Sequence, residues 1–388
     1  MAQQASRGTA AGTRFDSVWQ VPDAQVASGR IPGYVAAVRI GGQVAVRAGG
    51  RTALDPLSAP MREDTLLRIA SVTKPVGAAL TLSLVQDGVL ALDDPVGRWL
   101  PEAASPRVLA DPAGPLGRTR PARRPVTVRH LLTLTSGWGA VLEETPLQAA
   151  MLERGVYPGP LTPPMSGDEF VARVAGLPLA FQPGEGWLYD TGLDLAGVLL
   201  TRVTGRPLSD LLAERITGPL GMTDTGFQAT DPGRLATAYR PGPGGLELLD
   251  PPDGAFARAP AFEEMSSGLV STALDLLRFF AALADGGAPV LTAASVAQMT
   301  ADSLTDEQRR QAGPIVGPGR SWGLGTAVDV SAAEPWMAPG RWGWDGGTGT
   351  SARVDPARGT VGVLLTQRGM AGPLDGFDDF WAAVAAAA

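Results

Sequence analysis

The stretch from Ser71 to Asp87 constrains this chain more than any other. After Lys74 it runs Pro75-Val76-Gly77-Ala78-Ala79-Leu80-Thr81-Leu82-Ser83-Leu84-Val85-Gln86, with no charged side chain before Asp87. Val76, Leu80 and Leu84 recur at helical spacing, and the other faces carry Ala, Leu and Ser rather than charge. The spacing predicts a helix buried nearly all round. Pro75 falls in its first turn, where a missing N–H costs least, and Gly88 closes it. Such a helix has to run through the middle of a sizeable core. Its first turn then holds Ser71 near free N–H groups and the positive end of the helix dipole.

Lys74 stands three residues after Ser71, so on a helix the two share a face and the amine reaches the hydroxyl. It is the only lysine: of 32 Lys+Arg, the remaining 31 are arginines. Arginine keeps its proton at any ordinary pH, whereas a buried lysine can release one. A lone lysine one turn from a serine therefore reads as a base that activates a nucleophile, the Ser-Lys variant of serine catalysis. By itself the S-x-x-K spacing is a weak signal, and its weight comes from context.

Bulk properties exclude several alternatives. The net charge of −7 argues against a nucleic-acid surface. With no cysteine and one histidine, His130, a disulfide framework and Cys/His metal sites are out. No run of about 18 apolar residues predicts a membrane span, and residues 1–14 hold no signal-peptide core, so a cytoplasmic protein is expected. His130 sits in the helical run Val126–Thr133 with no G-x-S-x-G elbow anywhere, which makes it structural rather than part of a Ser-His-Asp triad.

Strands gather at the two ends of the chain. Tyr34–Ile40 and Gln43–Arg47, joined by Gly41-Gly42, read as a hairpin. Gly323–Val330, Ser351–Asp355 and Thr360–Thr366 read as further strands. Helices are expected over 15–28, 71–87, 127–136, 168–175, 194–203, 207–216, 275–284 and 291–300, and from Gly376 onward. Residues 101–125 and 139–168 read as loops, and the adjacent acids Asp93-Asp94, Glu143-Glu144 and Glu263-Glu264 as solvated or capping. Together these imply an α/β chain: a disordered tail (1–14), a sheet lobe from 15–70 with 300–388, and a mainly helical lobe (71–299) inserted between them.

Three ordered stretches carry a resemblance. Ser71-Val72-Thr73-Lys74 comes first, then Gly186-Trp187-Leu188-Tyr189-Asp190-Thr191-Gly192 ahead of a helix, then Gly343-Trp344-Asp345-Gly346-Gly347-Thr348-Gly349 near the C-terminus. In that order they resemble the serine β-lactamase and penicillin-binding-protein superfamily, most closely its class C-like, family VIII-type esterase branch. The resemblance covers most of residues 15–380. It implies a two-lobed β-lactamase-like fold, a mixed, mainly antiparallel sheet flanked by terminal helices, and a site between the lobes. It assigns Ser71 as the acylated nucleophile, Lys74 as its partner base, and Tyr189 as the tyrosine that shares proton transfer. It also implies an oxyanion hole from the N–H groups of Ser71 and Gly347; the alternative is that these glycines only turn the chain. Substrate contacts are expected from Thr191, Trp344, Asp345 and Gly346.

Two departures bear on substrate. Thr191 stands where many relatives have an amide-binding asparagine. Trp344-Asp345-Gly346 stands where lactamases and penicillin-binding proteins carry Lys-Thr-Gly, so a carboxylate-holding cation is lost unless Arg353 or Arg368 restores it. The resemblance thus implies a serine hydrolase acting on small-molecule esters without metal or cofactor. A β-lactamase, D-amino-acid peptidase or amidase, an acyltransferase, and a non-catalytic binding protein remain the alternatives, and oligomeric state is not readable from the sequence.

Overall fold

The computed structural model describes residues 12–388. Its frame is a seven-stranded sheet built from both ends of the chain: β1 (Gly33–Ile40), β2 (Gln43–Gly50), β3 (Arg320–Trp322), β4 (Ala327–Asp329), β5 (Trp342–Gly346), β6 (Thr350–Asp355) and β7 (Thr360–Thr366). The spatial order is β2-β1-β7-β6-β5-β4-β3. Every pairing within it is antiparallel, so the expected mixed sheet is antiparallel throughout, and parallel pairing is confined to isolated bridges elsewhere. The Gly41-Gly42 turn has positive φ at both positions, 57° and 78°, as a two-residue hairpin between right-twisted strands requires.

Side chains on β1 alternate between two buried faces. Tyr34, Ala36, Val38 and Ile40 pack with Phe15, Val18, Trp19, Phe380 and Trp381 of the terminal helices α1 (Gly12–Ala27) and α5 (Asp378–Ala386). Val35 and Ala37 join the larger core on the other side. That core surrounds α2 (Thr73–Gln86), whose residues from Thr73 to Leu84 are all buried, α3 (Thr191–Thr204) and α4 (Ala273–Ala284). Helix α4 lies on β1, β6 and β7 and so belongs with the sheet, although its residue numbers fall within the segment expected to be the helical lobe.

Several local expectations are corrected. Helix α1 starts at Gly12, inside the expected 1–14 tail; the rest of that tail lies outside the described residues. Of the expected strand 323–330 only Ala327–Asp329 is a strand; Gly323–Thr326 is a tight turn that joins it to Arg320–Trp322. At that turn a Cβ on Gly325 would come within 2.5 Å of Ala78 on α2. Helices at Pro146–Glu153 and Asp306–Val316, and hairpins at 107–121 and 238–250, were not anticipated. Among the described residues no helix is long and apolar enough to cross a membrane.

Candidate active site

Ser71 sits in a short 3-10 turn, Ala70–Val72, that feeds into α2. Ala70, just before it, has φ 41°, a left-handed conformation that a non-glycine residue holds only under constraint. The constraint comes from two sides. Leu67–Arg68 pairs with Val270–Ser271, and Ile69 N–H donates to Leu269 O. From the β5–β6 turn, the Thr348 hydroxyl donates to Arg68 O (2.6 Å) and the Thr350 hydroxyl to Ile69 O (2.9 Å). Pinned in this way, the serine is half-buried with its hydroxyl toward the cleft.

Lys74 is fully buried beneath it. Its ammonium donates to Ser71 Oγ (2.9 Å), to Ser266 O (3.0 Å) and to Asp190 Oδ1. Burial disfavours the charge, but the Asp190 carboxylate, helped by Tyr189 and Asp194, outweighs it and holds Lys74 above the ordinary lysine range.

Tyr189 flanks the same pair, with Lys74 Nζ 4.4 Å from its ring centroid. Its oxygen accepts from Trp344 Nε1 (2.5 Å) and lies close to Ser71. Trp187, Trp322 and Trp344 pack around the ring at centroid distances of 5.9, 6.1 and 5.8 Å, fixing it from three directions. Burial pushes the phenol above its usual range, against the pull of the Lys74 charge and of the polar groups of Ser71 and Trp344.

Asp190 was not singled out in the sequence. It adopts φ 85° and ψ −76°, a positive-φ γ-turn that is rare and strained for an L-residue. This turn ends the segment carrying Tyr189 and starts α3, and it brings the carboxylate under Lys74. Asp194, one turn into α3, accepts from Ser266 N (2.8 Å). Burial, with Glu264 and Asp190 nearby, holds Asp194 well above the usual carboxylate range. Glu264, expected to be solvated or capping, is 4% exposed and accepts from the Ser267 hydroxyl (3.0 Å). Burial first and Asp190 second push it up to about 7.

The remaining expected contacts divide. Trp344, Asp345 and Gly347 line the cleft with Ser71 and Tyr189. Gly346 does not: a Cβ there would lie 2.2 Å from Thr350 Oγ1 and 2.3 Å from Ile69 O, so it lets β5 press against the backbone ahead of Ser71. Thr191 is also turned away. Buried at 1% exposure, it lines a small internal cavity with Trp138 and Leu147 rather than the cleft. The Asp345 carboxylate is held by Ser351 Oγ and Arg353 (both 2.5 Å), and the guanidinium charges keep its proton off despite burial. Arg353 is therefore already engaged, and Arg368 pairs with Asp375 (2.7 Å). His130 belongs to a capping box with Thr127, a structural role as expected.

The cleft beside Ser71 measures about 400 Å³ and is mostly apolar, with Leu142, Ile315, Met370 and Pro373 on its walls. A second chamber of about 540 Å³ adjoins it, sharing Leu142, Tyr189 and Ile315.

Known proteins share the sequence pattern and the fold. The sequence matches the Beta-lactamase family over residues 20–387. It is 38% identical over 384 residues to Esterase EstB of Burkholderia gladioli, covering 93% of this chain and 92% of that one. It is 40% identical over 325 residues to Protein Rv1367c of Mycobacterium tuberculosis, 79% of each chain. Among solved structures, EstCE1, described as a hydrolase with promiscuous acyltransferase activity, superposes with a TM-score of 0.84 at 27% identity, covering 97% of this chain and all of that one. With Ser71 and Tyr189 in one cleft and Lys74 buried beneath the serine, the chain belongs to the Beta-lactamase family.

Proposed function

We propose that the protein is a serine hydrolase that cleaves uncharged carboxylic esters through an acyl-Ser71 intermediate. The observation that favours esters is the charge of the cleft. Among the described residues that line it, none is Lys or Arg, and its ionisable acids are Asp190 and Asp345. A substrate carboxylate, as lactams and D-peptides carry, would meet no cation to spare, since Lys74 is held by Asp190 beneath the serine and Asp345 already holds Arg353. The two arginines that could have supplied one are paired elsewhere. The apolar walls instead suit an acyl chain.

In acylation, Ser71 Oγ attacks the ester carbonyl carbon. Its proton passes to Tyr189 O as the phenol's own proton passes to the leaving oxygen; the ester C–O bond breaks and the alcohol departs. A phenol held above its usual range suits this bridging role, since it never has to persist as a phenolate. The N–H groups of Ser71 and Gly347 receive the developing oxyanion, with the charge of Lys74 nearby. Water repeats the steps in reverse: its proton goes to Tyr189 O, the phenol proton returns to Ser71 Oγ, and the acid is released. On this reading the sheet lobe (15–70 and 300–388, with α4 added) and the helical lobe close on the substrate from opposite sides. A cytoplasmic location belongs to the same proposal and is tested by cell fractionation.

Acyl transfer is the second reading. The adjoining 540 Å³ chamber leaves room for an alcohol beside the acyl group, and EstCE1 is described as having such promiscuous activity.

The test is the initial rate on p-nitrophenyl butyrate for the native protein and Ser71→Ala. A rate that falls to the uncatalysed level in the variant is expected, and an unchanged rate would sink the mechanism. Adding a primary alcohol at fixed ester separates the two readings: a new ester product in place of the acid marks transfer.

A further inference from the structure

We propose that Asp190 is a positioning residue whose carboxylate is the fixed counter-ion that keeps Lys74 an ammonium throughout turnover. The inference rests on the serine-hydrolase reading above and assigns the charge state of its lysine.

The geometry carries it. An ammonium has three hydrogens, and Lys74 Nζ has three acceptors: Ser71 Oγ, Ser266 O and Asp190 Oδ1. Ser266 O is a carbonyl and Asp190 a carboxylate, so neither can supply a hydrogen to the nitrogen. A neutral amine could still meet all three, by accepting from the Ser71 hydroxyl, but it would leave the Asp190 carboxylate beside it as an uncompensated charge in a buried site. The buried pair is therefore balanced in charge only when the lysine is an ammonium. The same nitrogen also faces the ring of Tyr189, a contact that suits a cation.

The backbone supports the assignment independently. Asp190 is one of three non-glycine residues with positive φ among the described residues, and the others are Ala70, beside the nucleophile, and Leu134. A strained γ-turn at this position costs stability that glycine would recover in part, yet an acid occupies it. The turn sends the side chain inward to Lys74, whereas the next residue, Thr191, is turned toward a separate cavity.

The other titratable groups around the lysine are Tyr189, Asp194 and Glu264. Asp194 already accepts a backbone hydrogen bond from Ser266 N and does not bond the ammonium. Glu264 is occupied by Ser267. Asp190 is thus the carboxylate in direct contact, and Asp194 is the nearest that could inherit its place.

The consequence for turnover is a division of labour. Lys74 stabilises charge on Ser71 Oγ and Tyr189 O without exchanging a proton, and the protons move through the phenol.

The test is the pH profile of kcat/KM from pH 5 to 10 for the native protein, Asp190→Asn and Asp190→Asn/Asp194→Asn, with thermal melts confirming folding; Asp190→Ser replaces Asp190→Asn if that variant does not fold. Without the counter-ion, burial dominates and the lysine loses its proton at lower pH. The variant's kcat/KM is then expected to fall at least tenfold as pH rises over a range where the native protein is level, with partial recovery at pH 5. The double variant moves that limb to still lower pH. Three outcomes overturn the proposal. A variant more active at neutral pH means Lys74 works as a neutral base. A uniform loss with an unchanged profile means Asp190 is only structural. A limb that appears only in the double variant assigns the role to Asp194. Labelling of Ser71 by a p-nitrophenyl phosphonate is measured in parallel: a native protein that resists labelling shows that the hydrolase reading has failed, not the assignment of Asp190.

Discussion

At Lys74 the structure changes the reason an arginine cannot serve. The sequence argument was that only lysine can give up its proton. In the folded protein three hydrogen bonds converge on one nitrogen with no exposed surface, a geometry that a planar guanidinium cannot reproduce. Lys74→Arg is expected to reduce kcat by at least about 100-fold although the charge is kept, and near-native turnover at matched folding would refute the geometry. Tyr189→Phe removes the proton bridge and should lower kcat by roughly 10²–10⁴-fold. Trp344→Phe removes only one donor to the phenol oxygen and should cost about tenfold, in line with a single hydrogen bond. Steady-state kinetics on p-nitrophenyl butyrate check all three, and equal losses in Tyr189→Phe and Trp344→Phe would mean that the hydroxyl carries no proton. That Ser71, Lys74 and Tyr189 lie together was anticipated, the first two from residue type and spacing and Tyr189 from the family resemblance. Asp190 was not, because its role depends on one positive-φ turn that no residue pattern announces. That same turn is why Thr191, reasoned to face substrate, points into another cavity.

At the scale of elements, the site depends on how closely β5 and its turn approach the strand and 3-10 turn that carry Ser71. Gly346 and Gly347 are neighbours in sequence but have different tasks. A methyl on Gly346 would collide with Thr350 Oγ1 and Ile69 O, whereas one on Gly347 meets nothing within 4 Å. Gly346→Ala is therefore expected to destabilise by about 1–3 kcal/mol through overpacking and to slow acylation by shifting Ile69 and Ala70. Gly347→Ala should leave the melting temperature unchanged. Equal melting temperatures for the two variants would show that β5 does not press on the nucleophile's backbone. The hairpin, the buried helix and the C-terminal strands were readable from period and turn chemistry. The helix at Asp306–Val316 was missed because its first half is polar and Pro314 sits inside it. Its Thr305/Gln308 capping box was the available signal. The 323–330 strand was overextended because Gly325, with φ 72°, bends the chain so that it can pack against α2.

For the molecule as a whole, the site imposes a pH-dependent cost on folding. Three buried carboxyl groups, Asp190, Asp194 and Glu264, gather around one buried ammonium where α2, α3 and the 264–267 segment meet. One cation cannot neutralise three carboxylates, so the excess is met by retained protons. Glu264 is the member that titrates near neutrality, pushed from 4.5 to about 7 by burial and by Asp190. A carboxyl whose folded pKa is raised stabilises fully below the unfolded value, where both states hold the proton. As pH climbs from 4.5 to 7 the unfolded chain ionises while the folded one does not. Stability then falls by about 1.4 kcal/mol per pH unit, a loss on the order of 3 kcal/mol by pH 8. Glu264→Gln removes that titration while keeping a polar group beside Ser267. The expected result is a variant close to the native protein in unfolding free energy at pH 4.5 but more stable than it at pH 8, measured by denaturant unfolding at both values. The surface charges are common to both proteins and cancel in the comparison, whereas Asp194, which Glu264 helps hold up, ionises more easily in the variant and adds to the difference in the same direction. A stability difference that is the same at both pH values would remove Glu264 as the group that couples this site to folding.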